Sequence, residues 1–287
     1  MHDDHAGVGA GGAQLFVVIG AQRSGTNILR EILNTNENIG MLGEVFSPSA
    51  APAHWENFCR ALPAGRVRAV SVGEAETLLD QYFDFVLYRV RNHWEGNKKA
   101  RSRAIGVDIK YNQLRQIVPS GWHSTAPFIL CYLRSRNAIL IHATRNVIHC
   151  AISVLIASER EFWHNYNGAV IDRTYHIDAE ECLAHARTIL HHRDAFTKFA
   201  SGCTVVDSRY ECLMEDLERA GFGEEIPDGP GPLMSIASAL GSPFRFSHDR
   251  RLQRAINVPY SRLISNYEVL IRRLIDSEFS SLSTTLA

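Results

Sequence analysis

Six residues in the segment FVVIGAQRSGTNIL have types and spacing suited to gripping an anion: Gly20, Arg23, Ser24, Gly25, Thr26 and Asn27. They sit between an apolar, β-branched run and a stretch with helical spacing, where free backbone N–H groups and the positive end of a helix dipole converge. That chemistry is phosphate binding. The two glycines keep the separation of a nucleotide triphosphatase loop, GxxxxGK[ST], but Thr26 holds the lysine position and Asn27 the magnesium-binding hydroxyl position. Magnesium-dependent hydrolysis of ATP or GTP is therefore disfavoured, and no metal is expected. Arg23 supplies positive charge from within the loop, which suits an anion held by side chains and backbone donors. A Gly-Ser-Thr turn that merely joins strand to helix is the plainer alternative, and Arg23 weighs against it.

Four further segments place polar groups at the ends of apolar runs. ILIHATRNVIHCAISVLIA carries Arg145 at a strand end and Ser153 two helical turns later. GMLGEVFSP carries Glu44 after a strand or turn, where a carboxylate can face the loop, and AIGVDIKYNQL carries Lys110 after a buried strand. VVDSRYECLMED carries Tyr210 and Glu211 behind a fourth strand. The first three have a plainer reading: a surface arginine and a helix serine, a glutamate capping a turn, a solvated lysine.

The elements that must position these groups alternate. Leu15 to Ile19 reads as a strand buried on both faces, closing on Gly20. A helix follows, with Ile28, Leu29, Ile32 and Leu33 on one face, ending in the polar cluster Asn34 to Asn38. Further strands are expected at Ala104 to Ile109, Ala138 to Ala143 and Thr204 to Val206, and helices at Glu74 to Tyr88, Val147 to Glu159 and Ala179 to Phe199. Gly221 to Pro232 is too rich in Gly and Pro to be regular. The fold expected is α/β: a P-loop-like central parallel sheet flanked by helices, with helical insertions. Residues 1–13 read as a flexible tail, and residues 14–287 as a single domain.

Composition narrows the function classes. Thirty Lys and Arg against 31 Asp and Glu give a net charge of -1, so no global field draws nucleic acid, and an anion site must be local. Cys59, Cys131, Cys150, Cys182, Cys203 and Cys212 are scattered without a CxxC pair, which predicts reduced thiols and a cytoplasmic location. The acidic start MHDDHAGVGAGGAQ lacks the basic n-region of a signal peptide. His185, His191 and His192 share a helix, but spacings of six and seven give at best one neighbour pair and no accompanying carboxylate triad, so no zinc site is expected. Phe162, Trp163 and Tyr166 read as packing residues in preference to an acceptor pocket.

The string GAQRSGTNIL resembles the 5′-phosphosulfate loop of sulfotransferases dependent on 3′-phosphoadenosine-5′-phosphosulfate (PAPS), and the other segments follow in that superfamily's order. The resemblance runs from about Gln14 to about Tyr267. It is nearest to the bacterial trehalose-sulfotransferase-like branch; the Lys-Gly pair of cytosolic small-molecule sulfotransferases is absent. It implies PAPS as sulfuryl donor, with Gly20, Arg23, Ser24, Gly25, Thr26 and Asn27 on the 5′-phosphosulfate and Arg145 with Ser153 on the 3′-phosphate. It further implies Glu44 as general base and Lys110, with Arg23, as stabiliser of the transferring group. Tyr210 would lie near the nucleotide, Glu211 would be structural, and Arg254 and Asn257 in RLQRAINVPYSRLISNY would close over the nucleotide. The branch implies a carbohydrate or glycolipid hydroxyl as acceptor, with peripheral membrane contact if the acceptor is a lipid, and a protein tyrosine as the rival acceptor. A nucleotide kinase and a non-catalytic nucleotide-binding module are the competing classes. Oligomeric state is not legible.

Overall fold

The computed structural model describes residues 8–9, 13–48, 51, 53–62, 70–93, 102–160, 173–220, 231–241 and 259–283. Five strands form an all-parallel sheet: β2 (Ala13–Gly20), β3 (Ile39–Glu44), β4 (Ala104–Lys110), β5 (Ile139–Thr144) and β6 (Thr204–Arg209). Their order is β3-β4-β2-β5-β6, so β2 lies in the middle and its C-terminal end is flanked by those of β4 and β5. A two-residue strand, β1 (Val8–Gly9), pairs antiparallel with Ala13 and Gln14. The expected tail therefore contributes to the sheet. The β5 pairing begins only at Phe16, which leaves this short edge of β2 open.

Both sheet faces are covered, as a parallel sheet requires. Along β2, Leu15, Val17 and Ile19 enter one apolar cluster, and Phe16 and Val18 enter another. The second is closed by α1 (Thr26–Thr35), whose Ile28, Leu29, Ile32 and Leu33 are buried, and by α7 (Tyr210–Ala220) and α8 (Pro232–Ala239). Burying a side chain such as Ile32 or Leu33 contributes about 1.5–3 kcal/mol. The first face is closed by α3 (Val72–His93), α4 (Phe128–Ser135) and Phe196 of α6 (Ala179–Phe199), with Trp55 and Phe58 of α2 (Trp55–Ala61) packed edge-on to Tyr82. A third cluster joins α5 (Val147–Arg160) and α6 to α9 (Tyr260–Leu263), α10 (Tyr267–Ile275) and α11 (Ser280–Ser283).

The expected elements all form, with small shifts of boundary. Lys110 is the last residue of β4 instead of following it, and Thr144 extends β5 to within one residue of Arg145. Pro232, expected in a loop, opens α8, where its missing N–H and fixed φ suit the first helical turn. The remainder of that Gly/Pro stretch, 221–230, lies outside the described residues, as do Phe162, Trp163 and Tyr166.

Candidate active site

The chain leaves β2 at Gly20 and turns into α1 through a tight loop. Ser24 is buried and its Oγ donates to the Ala21 carbonyl at 2.8 Å. Arg23 and Gly25 both take left-handed backbone, at φ 65° and 89°. A Cβ on Gly20 would stand 2.5 Å from the Ala143 carbonyl, and one on Gly25 would run into the Tyr210 ring. Left-handed backbone at a non-glycine costs roughly 1–3 kcal/mol and recurs at ligand clamps. Thr26 is buried on the first turn of α1, with Asn27 half-buried beside it.

Three residues from two distant segments, Arg145, Ser153 and Tyr210, converge on this loop. Arg23 Nε donates to Ser153 Oγ at 3.0 Å, and Arg145 Nη1 donates to the Arg23 carbonyl at 3.0 Å. The Arg145 guanidinium lies 4.5 Å from the Tyr210 ring centroid, a cation–π contact. Glu211, on the first turn of α7, accepts from the Asn146 N–H at 3.0 Å and so fastens α7 to the turn behind β5. The resemblance puts Ser153 and Arg145 on one phosphate, and here Arg23 also reaches Ser153. Arg145 Nε is buried and has no partner among the described residues, an orphan donor that an anion would satisfy.

Lys110 supplies the cation that position 26 lacks. Its ammonium reaches across from β4 to Thr26 Oγ1 at 2.5 Å and pairs with Asp108 Oδ2 at 2.7 Å. Lys110 is 4% and Asp108 1% exposed, so this is a buried ion pair at the phosphate loop and not a solvated strand end. Asp108 lies opposite Glu44 in the β3–β4 ladder, after a register shift between Met41 and Glu44. Gln113, in the 3-10 turn Tyr111–Gln113, donates from Nε2 to Glu44 Oε1 at 2.6 Å. The arrangement places two guanidiniums, an ammonium, loop N–H groups and two carboxylates, Asp108 and Glu44, at the C-terminal edge of the sheet.

A family model, that of the sulfotransferase family, matches residues 15–220. The chain belongs to the sulfotransferase family. A search of curated proteins finds no match to it. Membership supports a transferase of sulfuryl groups. The matched span runs from β2 through α7 and contains Glu44, Lys110, Arg145, Ser153, Tyr210 and the whole loop. Arg254 and Asn257 lie beyond it and outside the described residues.

Two further features of this sulfotransferase border the loop. Cys150, on α5, is buried against the Arg23 carbonyl, and burial pushes its thiol up to about 11. Behind Lys110, the Tyr111 hydroxyl meets His142 Nε2 at 2.6 Å, and His142 Nδ1 meets Asp207 at 3.0 Å. Burial lowers the His142 pKa, with Asp207 acting in the opposite sense. All six cysteines are free, and no cluster of three or more metal-ligating side chains occurs among the described residues. No helix among them is long and apolar enough to cross a membrane.

Asp108 and Gln113 were not legible as site residues. Asp108 carries a faint signal, because a carboxylate inside a fully apolar strand must find a cation. Gln113 carries none.

Proposed function

We propose that the protein transfers the sulfuryl group of PAPS to a hydroxyl acceptor, a carbohydrate or glycolipid. The observation that carries this reading is the meeting of Arg23, Ser153 and Arg145 on one loop. Two strand-to-helix turns from distant parts of the chain put two basic groups beside each other, as a nucleotide with phosphate on both its 3′ and 5′ hydroxyls requires. The buried orphan Nε of Arg145 fits such a ligand.

In this mechanism the loop N–H groups, Ser24, Thr26 and Asn27 hold the 5′-phosphosulfate, and Arg145 with Ser153 holds the 3′-phosphate. Tyr210 supports Arg145 through its ring face. Glu44 accepts the proton of the acceptor hydroxyl as its oxygen bonds to sulfur. The bond between sulfur and the 5′-phosphate oxygen breaks, leaving a sulfate ester and adenosine 3′,5′-bisphosphate. Lys110 and Arg23 offset the negative charge on the sulfuryl oxygens and on the departing phosphate. As in phosphoryl transfer, positioning and electrostatics do most of the work. Thr26 and Asn27 stand where a kinase loop would carry its lysine and metal-binding hydroxyl, so charge arrives from Lys110 on β4 instead.

The acceptor class rests on the resemblance to the trehalose-sulfotransferase-like branch, and a lipid-linked glycan would bring peripheral membrane contact. Six free cysteines support a reducing, cytoplasmic setting. The test is transfer of radiolabelled sulfur from PAPS into lipid, glycan and protein pools of a cell extract. Label in the glycan or lipid pool is expected. Label confined to protein tyrosine would move the acceptor assignment, and magnesium-dependent ATP turnover with no labelled pool would overturn the reading.

A further inference from the structure

Gln113 is 6% exposed, and its amide is held at both ends. Its Oε1 accepts from the Lys110 backbone N–H at 2.8 Å, and its Nε2 donates to Glu44 Oε1 at 2.6 Å. An amide has one accepting end and one donating end, so the Lys110 N–H decides which way round the group sits. Only oxygen can face that donor. The nitrogen then faces Glu44, which must answer with an accepting oxygen, the condition a carboxylate meets.

The bond also supplies what the sheet does not. β3 reaches Glu44 through a register shift after Met41, an irregularity of the kind that re-aims a side chain near active sites. The backbone ladder alone therefore leaves the carboxylate's direction open. Lys110, by contrast, is in register with Gly20, the first residue of the phosphate loop. Through Gln113 the Glu44 carboxylate is referenced to that loop. The second carboxylate oxygen of Glu44 has no protein partner among the described residues.

We propose that Gln113 is a positioning residue for Glu44: it takes one carboxylate oxygen and turns the other toward the acceptor hydroxyl. The assignment rests on Glu44 being the base, as proposed above. A misplacement of about 1 Å at a reacting group lowers rate by roughly 10²-fold. Gln113 thus governs turnover through Glu44 and leaves donor affinity alone.

The test compares the parent protein, Gln113→Leu, Glu44→Asp and the double variant. It follows initial transfer of radiolabelled sulfur from PAPS, varied up to saturation, into pooled lipid, glycan and protein fractions, and calorimetric binding of adenosine 3′,5′-bisphosphate. Gln113→Leu is expected to lower kcat by about 10- to 100-fold, with the KM for PAPS and the nucleotide affinity close to the parent's. Aspartate is too short to reach Nε2, so in the Glu44→Asp background the Gln113 change should cost little. A parent-like rate in Gln113→Leu, a full additive loss in the double variant, or an equal loss of nucleotide affinity would each overturn the assignment. If Gln113→Leu does not fold, Gln113→Asn replaces it, being polar but too short to span both partners, with the same outcomes deciding. A parent that labels no pool overturns the sulfuryl-transfer reading itself, and that failure shows in a different arm from failure of the Gln113 assignment.

Discussion

Arg145 and Arg23 lie 122 residues apart in the chain, yet Arg145 Nη1 donates to the Arg23 carbonyl at 3.0 Å. The contact ties the turn after β5 to the turn after β2, so Arg145 braces the loop besides taking the 3′-phosphate in the proposed function. Arg145→Ala should weaken adenosine 3′,5′-bisphosphate by roughly 10- to 100-fold, the worth of a hydrogen bond to a charged group. Adenosine 5′-phosphate should lose much less, the remainder reflecting the lost brace. Calorimetry with both nucleotides separates the two parts, and equal losses would remove Arg145 from the 3′-phosphate.

The Lys110–Asp108 pair makes a stability prediction distinct from the catalytic one. Lys110→Met leaves the Asp108 carboxylate buried without its cation, which costs about 3–5 kcal/mol. Adding Asp108→Asn should restore most of that loss in denaturant unfolding while sulfuryl transfer stays depressed. If stability and transfer recover together, Lys110 has no direct role at the transferring group.

Gly25 has a left-handed backbone at φ 89° and sits against the Tyr210 ring. Gly25→Ala should therefore cost roughly 1–2 kcal/mol for the backbone alone, and more where the methyl displaces Tyr210. Nucleotide affinity should fall with stability, because Tyr210 carries Arg145 on its face. Unchanged unfolding midpoint and affinity would show that the loop adapts.

His142 gives a pH dependence with a definite sign. Its pKa is lowered, first by burial and also by Arg193 of α6, while Asp207 of β6 acts the other way. The unfolded chain, where histidine titrates near about 6.5, binds this proton more readily than the native state. Stability from this group is full above that value and is lost as pH falls from there through the lowered native pKa. Denaturant midpoints taken across this range should drop on acidification, and His142→Gln should flatten the slope. An unchanged slope in that variant would assign the effect to other groups.

Features local in the sequence were readable because they are local. An apolar β-branched run closing on glycine, a loop of Gly, Arg, Ser and Thr, and apolar residues at helical spacing declared β2, the anion cradle and α1 without reference to the rest of the chain. β3 was read only as a strand or turn, since IGMLGE lacks a β-branched alternation and becomes a strand by pairing with β4.

Who meets whom was decided by the sheet. The order β3-β4-β2-β5-β6 sets β4 between Glu44 and the phosphate loop, and parallel register brings Lys110 level with Gly20. That placement delivers the loop's lysine from 84 residues away, buries Asp108 as its counter-ion, and spans Gln113 to Glu44. It also sets Ser153 Oγ against Arg23 Nε. Spacing along a chain records which side chains share a face of one element. It holds no record of which elements become neighbours, because that choice is made by burying apolar faces against each other, and the polar groups at the strand ends take the partners that burial provides.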